Sequence, residues 1–260
     1  MSSTNAEDPI DDQPMPLLDH LIELRRRLMW SVSSFMECFL ICYHFSDVLF
    51  YWLADPLAHV LEAQGGGKRL IYTHLTEAFF TYIKVAFFGA ACISFPVIAG
   101  QLWMFVAPGL YRSEKRAFAP FLLATPVLFA LGASLAYFFI FPVAWKFFAS
   151  FQTLTGAGGL PIELEPKVGE YLDLVMKLIF AFGVAFQLPV ALSLLAKVGI
   201  VTSAGLKKYR RYAVVGNFVI AAILAPPDVI TQIGLALPLI LLYEVSIIAA
   251  KLVEPKPAAD

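Results

Sequence analysis

The sequence predicts an all-α membrane protein: six transmembrane helices in a bent, concave bundle, both termini cytoplasmic, with short fifth and sixth spans. Composition is the first reason. Of the 260 residues 59% are hydrophobic and 15% charged, and the mean hydropathy is +0.74, whereas a soluble domain is about 45–50% apolar and about 25% charged. Patterning is the second. Apolar stretches at 29–50, 79–101, 118–145, 171–196, 212–225 and 229–250 give six candidate spans, since a bilayer core of about 30 Å needs about 20 helical residues. Charge is the third. With both ends inside, thirteen basic residues lie on inner segments (Arg25, Arg26, Arg27, Arg112, Lys115, Arg116, Lys197, Lys207, Lys208, Arg210, Arg211, Lys251, Lys256), and four on outer loops (Lys68, Arg69, Lys146, Lys167), the asymmetry of a positive-inside topology.

Residues 1–16 form an acidic tail with Glu7, Asp8, Asp11 and Asp12, expected to be disordered and unlike a secretory signal, which begins basic. The membrane unit is expected over 17–252 and a loose C-terminal tail over 253–260. At 100° per residue Leu17, Leu18, Leu21, Ile22, Leu24 and Leu28 share one arc of an amphipathic helix, opposite Asp19, His20, Glu23, Arg26 and Arg27. Arg25 lies inside the apolar arc, so it must snorkel to water or meet a buried acceptor.

Ionisable groups within spans are costly and should face a partner, a cavity or an interface. Glu37 in the first span, Lys84 in the second and Glu244 near the inner end of the sixth are such candidates. Asp173 and Lys177, four apart in the fourth span, are expected to pair along their helix. Cys38, Cys42 and Cys92 read as small buried hydrophobes. Pro96, Pro126, Pro142 and Pro238 interrupt spans and predict bends. Gln187 precedes Pro189; it either satisfies a backbone carbonyl that the proline frees or faces a groove.

The first inner loop, 101–116, contains an Ala-Pro-Gly turn and one acid, Glu114, among Arg112, Lys115 and Arg116. Glu23 and Glu114 would then lie on the same membrane side and together receive a guanidinium group. The fifth span is short, about 14 residues or about 21 Å of helix, and turns at Ala-Pro-Pro-Asp. Asp228 is expected to cap the sixth span, with Gln232 one turn further on.

The sequence contains no phosphate-binding loop, dinucleotide turn or His-Glu-x-x-His pair. His20, His44, His59 and His74 have no ligand spacing. No enzyme, cofactor, metal or nucleic-acid role is therefore expected.

Four sets of residues, in this order, resemble the TatC family, the polytopic subunit of the twin-arginine protein translocase. They are His20-Leu-Ile-Glu23-Leu-Arg25-x-Arg27-Leu28; Phe105-Val-Ala-Pro108-Gly-Leu-Tyr111 with Glu114; Phe182-Gly-x-x-Phe-Gln187-x-Pro189; and Pro226-Pro227-Asp228 with Gln232. The resemblance implies a non-enzymatic receptor in a bacterial inner membrane that, driven by the proton gradient, exports folded proteins. It implies that Glu23, Arg25, Phe105, Pro108 and Glu114 dock the paired arginines of a signal peptide. It implies an intramembrane polar site at Gln187, where many relatives have Glu, and contacts of Asp228 and Gln232 with the single-span partners TatA and TatB. The receptor complex is expected to be homo-oligomeric. A small-solute transporter and an insertase or scaffold are the rival readings; the former predicts inverted repeats, which the span lengths do not display.

Overall fold

The computed structural model describes residues 17–63, 69–106, 115–152, 164–224 and 229–254; the side chains of 17–19, 115–118 and 230 are not described. Helix α1 runs Leu17–His44 and α2 Ser46–Ala63. The first span was expected to continue to residue 50, but the chain turns by 77° between these helices. The break falls at Phe45, with His44 in the last turn of α1 and Asp47 in the first turn of α2, the ends at which the helix dipole favours a cation and an anion.

Helix α2 contains Pro56, which lacks the N–H that the Trp52 carbonyl would otherwise accept. The Tyr137 hydroxyl takes its place, donating to the Trp52 carbonyl at 2.9 Å, while Tyr171 donates to Leu53 O at 2.9 Å. Trp52 also stacks on Tyr137 with centroids 4.2 Å apart. Two tyrosines from later helices thus hold α2 across one end of the bundle.

Helix α3 spans Glu77–Val106 and packs along α1 through Cys42, Ala86 and Ala90, with Phe35 edge-on to Phe87. Helix α4, Lys115–Leu135, passes through a π-helical turn, Ala136–Ile140, into α5, Phe141–Ala149. That turn sits beside Pro142, and the Phe141 N–H reaches back five residues to the Ala136 carbonyl. The wider turn coincides with burial of Ala136 and Tyr137, the latter being the residue that bonds α2.

Helices α6, Val168–Ala185, and α7, Leu188–Lys197, form one broken rod. The break lies at Phe186 and Gln187, where Gln187 N–H donates to Val184 O at 2.9 Å in a tightened turn. Helices α8, Ser203–Leu224, and α9, Val229–Val253, complete the bundle. Gly199, with φ of +83°, makes the turn into α8, a conformation that favours glycine. The sixth span is not short, and the short apolar fifth is prolonged by charged helical turns. Helix α8 has 22 residues because its charged first turns are helical too, and α9 has 25.

The core centres on Phe141, Leu172, Val175, Leu178, Phe182, Leu53 and Leu235, drawn from four helices. Helices α4 and α6 approach so closely that a Cβ on Gly132 would lie 2.5 Å from the Phe182 carbonyl oxygen, and one on Gly183 2.5 Å from the Phe129 ring. Four segments, Glu77–Val106, Ala119–Ala149, Val168–Lys197 and Thr231–Val253, are long and apolar enough to cross a membrane; α1 and α2 qualify together only as a bent pair. Helix α8 is not among them, because its first half carries Lys207, Lys208, Arg210 and Arg211.

Candidate docking surface and membrane-embedded polar sites

His20 near the start of α1 stacks on Phe105 at the end of α3, with ring centroids 4.4 Å apart and an interplanar angle of 26°. One helical turn on from His20, Glu23 is half-buried and accepts from Arg27: Nε lies 3.0 Å from Oε1, and Nη2 bonds the same oxygen. Neither contact falls on Oε2. A polar groove of about 330 Å³ opens here, lined by Glu23, Arg26, Arg27, Trp30, Gln101 and Met104. An arginine thus already engages Glu23 in the folded chain, through two nitrogens of one guanidinium.

Arg25 is exposed and faces a separate groove with Ile22, Arg26, Met29, Trp30 and Ser33. It lies on the surface of the chain rather than in the core. The apolar arc around it is not packed on the bundle either, for Leu21, Ile22, Leu24 and Leu28 are all exposed. Pro108, Glu114 and Asp228 lie outside the described residues.

Gln187 is buried, and its Nε2 donates to the Thr125 carbonyl of α4 at 3.0 Å, while its Oε1 has no partner. Of the two roles foreseen, binding a backbone carbonyl is observed, but on a neighbouring helix, one residue before Pro126, rather than within the rod that Pro189 breaks. Glu37 is exposed on α1, and Gln232 is half-buried on α9.

The expected Asp173–Lys177 pair does not form. Asp173 instead accepts from Lys84 of α3 at 2.8 and 2.9 Å, while Lys177 donates to the Ile223 carbonyl of α8 at 3.1 Å. Helix packing places a better-matched cation from another helix within reach of the acid, so both charged spans gain a partner. Glu244 accepts from Arg210 at 2.6 Å. This pairing was legible in outline. Arg210 stands sixteen residues before Pro226 and Glu244 seventeen after Pro227, so an antiparallel hairpin brings them to one level.

Other contacts join segments far apart in the chain. Glu77 accepts from the Thr73 N–H at 2.9 Å and from the Gly169 N–H at 3.1 Å, joining the first turns of α3 and α6. The chain before α3 also pairs with the chain before α6: Ile71 N–H donates to Pro166 O and Val168 N–H to Ile71 O, with Arg69 bonded to Glu165 beside them. Glu254 caps α8, accepting from the Ser203 hydroxyl at 2.7 Å. Among the described residues no group of three or more His, Cys, Asp and Glu could hold a metal ion.

Apolar helices of membrane-crossing length, with polar groups paired between them and an acid–arginine groove at one end, define a multi-pass membrane protein. A family model described as "Sec-independent protein translocase protein (TatC)" matches residues 19–238. The chain is 51% identical over 247 residues to the Sec-independent protein translocase protein TatC of Magnetococcus marinus, covering 95% of this chain and 88% of that one. It is 47% identical over 236 residues to the protein so described from Rickettsia prowazekii, covering 91% and 92%. A crystal structure of a twin arginine translocase receptor, TatC, superposes with a TM-score of 0.75 at 41% identity, covering 90% of this chain and 99% of that one. The chain belongs to the TatC family. It is therefore a component of a Sec-independent protein translocase, a transport subunit that works in a complex with other subunits.

Proposed function

We propose that this chain is the receptor and core of a twin-arginine translocase in a bacterial inner membrane, and that it binds the paired arginines of a signal peptide at Glu23 and Glu114. It crosses the membrane six times with both ends cytoplasmic; α1 and α8, whose charged first turns lower their hydropathy, cross by placing those turns at the inner surface. The observation that carries the reading is the state of Glu23: a half-buried carboxylate at a groove, already engaged by the Arg27 guanidinium. That is the chemistry a twin-arginine signal presents, and a planar two-pronged contact discriminates arginine from lysine.

Arg25, Phe105 and Pro108 complete this docking surface. Gln187, Glu37 and Glu244 are the polar positions of the membrane interior; with Gln rather than Glu at 187 the position works by hydrogen bonding, not by proton transfer. Asp228 and Gln232 meet TatA- and TatB-like single-span partners, and copies of the chain associate in the receptor complex, which exports folded proteins on the proton gradient.

The test is binding of a labelled twin-arginine signal peptide to detergent-solubilised protein. Charge-assisted hydrogen bonds contribute about 1.5–3 kcal/mol each, so a Glu23→Ala, Glu114→Ala double variant should bind at least about tenfold more weakly, and a twin-lysine peptide should fail on the parent protein. Unchanged affinity in the double variant refutes the docking role.

A further inference from the structure

A second groove, of about 470 Å³, runs between α6, α7, α8 and α9, and none of the residues given a role in signal or partner binding lines it. Its wall is apolar, formed by Phe180, Val184, Leu188 and Ile220, with two polar groups on it, Lys177 and Asn217. Asn217 is only 7% exposed and its Nδ2 has no hydrogen-bond acceptor, a costly omission in apolar surroundings. Lys177 stands at one end. Of the three N–H groups of an ammonium, one donates to Ile223 O, and the residue is exposed. From Ile223 to Asn217 is six residues, or about 9 Å along α8, so the cation sits at the mouth and the free amide donor lies deeper.

Chemistry narrows the occupant. The wall from Phe180 through Val184 to Leu188 is apolar, one cation, Lys177, stands at the mouth, and one buried amide donor, Asn217 Nδ2, is unmet. An amphiphile with an anionic head, an acceptor below it and a hydrocarbon chain matches that order of groups. We propose that the groove holds one glycerophospholipid. Its phosphate lies at Lys177, an acyl ester carbonyl accepts from Asn217 Nδ2, and the chain follows Phe180, Val184 and Leu188. This goes beyond the signal-docking reading and does not depend on it.

Native mass spectrometry of the detergent-purified protein, titrated with dioleoylphosphatidylglycerol and, separately, with dioleoylglycerol, tests this. The parent protein should retain one phospholipid, and dioleoylglycerol, which lacks the phosphate, should bind about tenfold more weakly. Asn217→Leu and Lys177→Gln should each weaken phospholipid retention about tenfold, the change expected for one lost charge-assisted or otherwise unmet hydrogen bond. Val184→Trp, which fills the groove and leaves both polar groups intact, should abolish retention even if Asn217→Leu proves unstable. Lys251→Gln, at the far end of α9, should bind as the parent does. Equal retention in Val184→Trp, or equal binding of dioleoylglycerol, overturns the proposal. So does a photo-crosslinker at Ile220 that captures a polypeptide in membranes instead of a lipid.

Discussion

Tyr137→Phe deletes a single hydroxyl, yet it should destabilise the end of the bundle more than Tyr171→Phe does, although Tyr171 is equally buried. The difference lies in α2. Pro56 has no N–H for the Trp52 carbonyl, so the Tyr137 hydroxyl at 2.9 Å fills a vacancy that the helix cannot fill. The Leu53 carbonyl, bonded by Tyr171, still has the Leu57 N–H four residues on. An unsatisfied buried acceptor costs about 1–3 kcal/mol, whereas losing one of two donors costs about 0.5–1.5 kcal/mol. For a chain of this size each kcal/mol lowers Tm by about 2–4 °C, so Tyr137→Phe should lower it by roughly 4–8 °C and Tyr171→Phe by about half as much. The discriminating variant restores the donor: Pro56→Ala supplies an N–H for Trp52, so Pro56→Ala with Tyr137→Phe should lose less than Tyr137→Phe alone. Thermal unfolding in detergent, followed by circular dichroism and by a thiol-reactive dye, measures the three variants against the parent. A Tyr171→Phe loss as large as that of Tyr137→Phe, or no relief from Pro56→Ala, would refute the reasoning.

Three other outcomes are expected. Reporters fused after Arg116, Arg211 and Lys251 should read as cytoplasmic, and those in 64–68 or 155–159 as external; an external signal at Lys251 would mean that α8 does not cross. Reversing the Lys84–Asp173 pair, as Lys84→Asp with Asp173→Lys, should recover more of the protein level in membranes than either single reversal, because only the double variant keeps opposite charges 2.8 Å apart. Gly132→Val should prevent accumulation of folded protein, since even the first side-chain carbon would fall 2.5 Å from the Phe182 carbonyl oxygen; Gly216→Ala, where a Cβ meets nothing within 4 Å, should be tolerated.

Much of this protein was legible in its sequence. Hydropathy depends on residue type and on helical rise, both local quantities, so an all-helical membrane protein and the approximate positions of its apolar segments followed from composition and pattern. The spacing of motifs sufficed for the family, because each of its signatures lies within a single stretch of chain. Helix ends were less legible, since an apolar count runs on through Val48, Leu49 and Phe50 while the chain bends by 77° at Phe45, a change of direction that hydropathy does not register. The basic first half of α8 was likewise hidden, because charge lowers hydropathy without ending a helix.

Only the tertiary structure decided which polar groups meet. Asp173 had an acceptable partner four residues away in Lys177, yet it bonds Lys84, 89 residues distant in sequence. Gln187 bonds a carbonyl on α4, 62 residues away, and Glu77 reaches Gly169 across 92. The physical reason is common to all three. An unmet amide is costly in an apolar interior, as at Gln187, and for all three the helix axis fixes only where a side chain lies around and along its own rod. The partner is set by which rods touch and at what depth, and that is a property of the packed bundle, fixed in part by the close approach of Gly132 to Phe182 and by the breaks at Pro142 and Pro189.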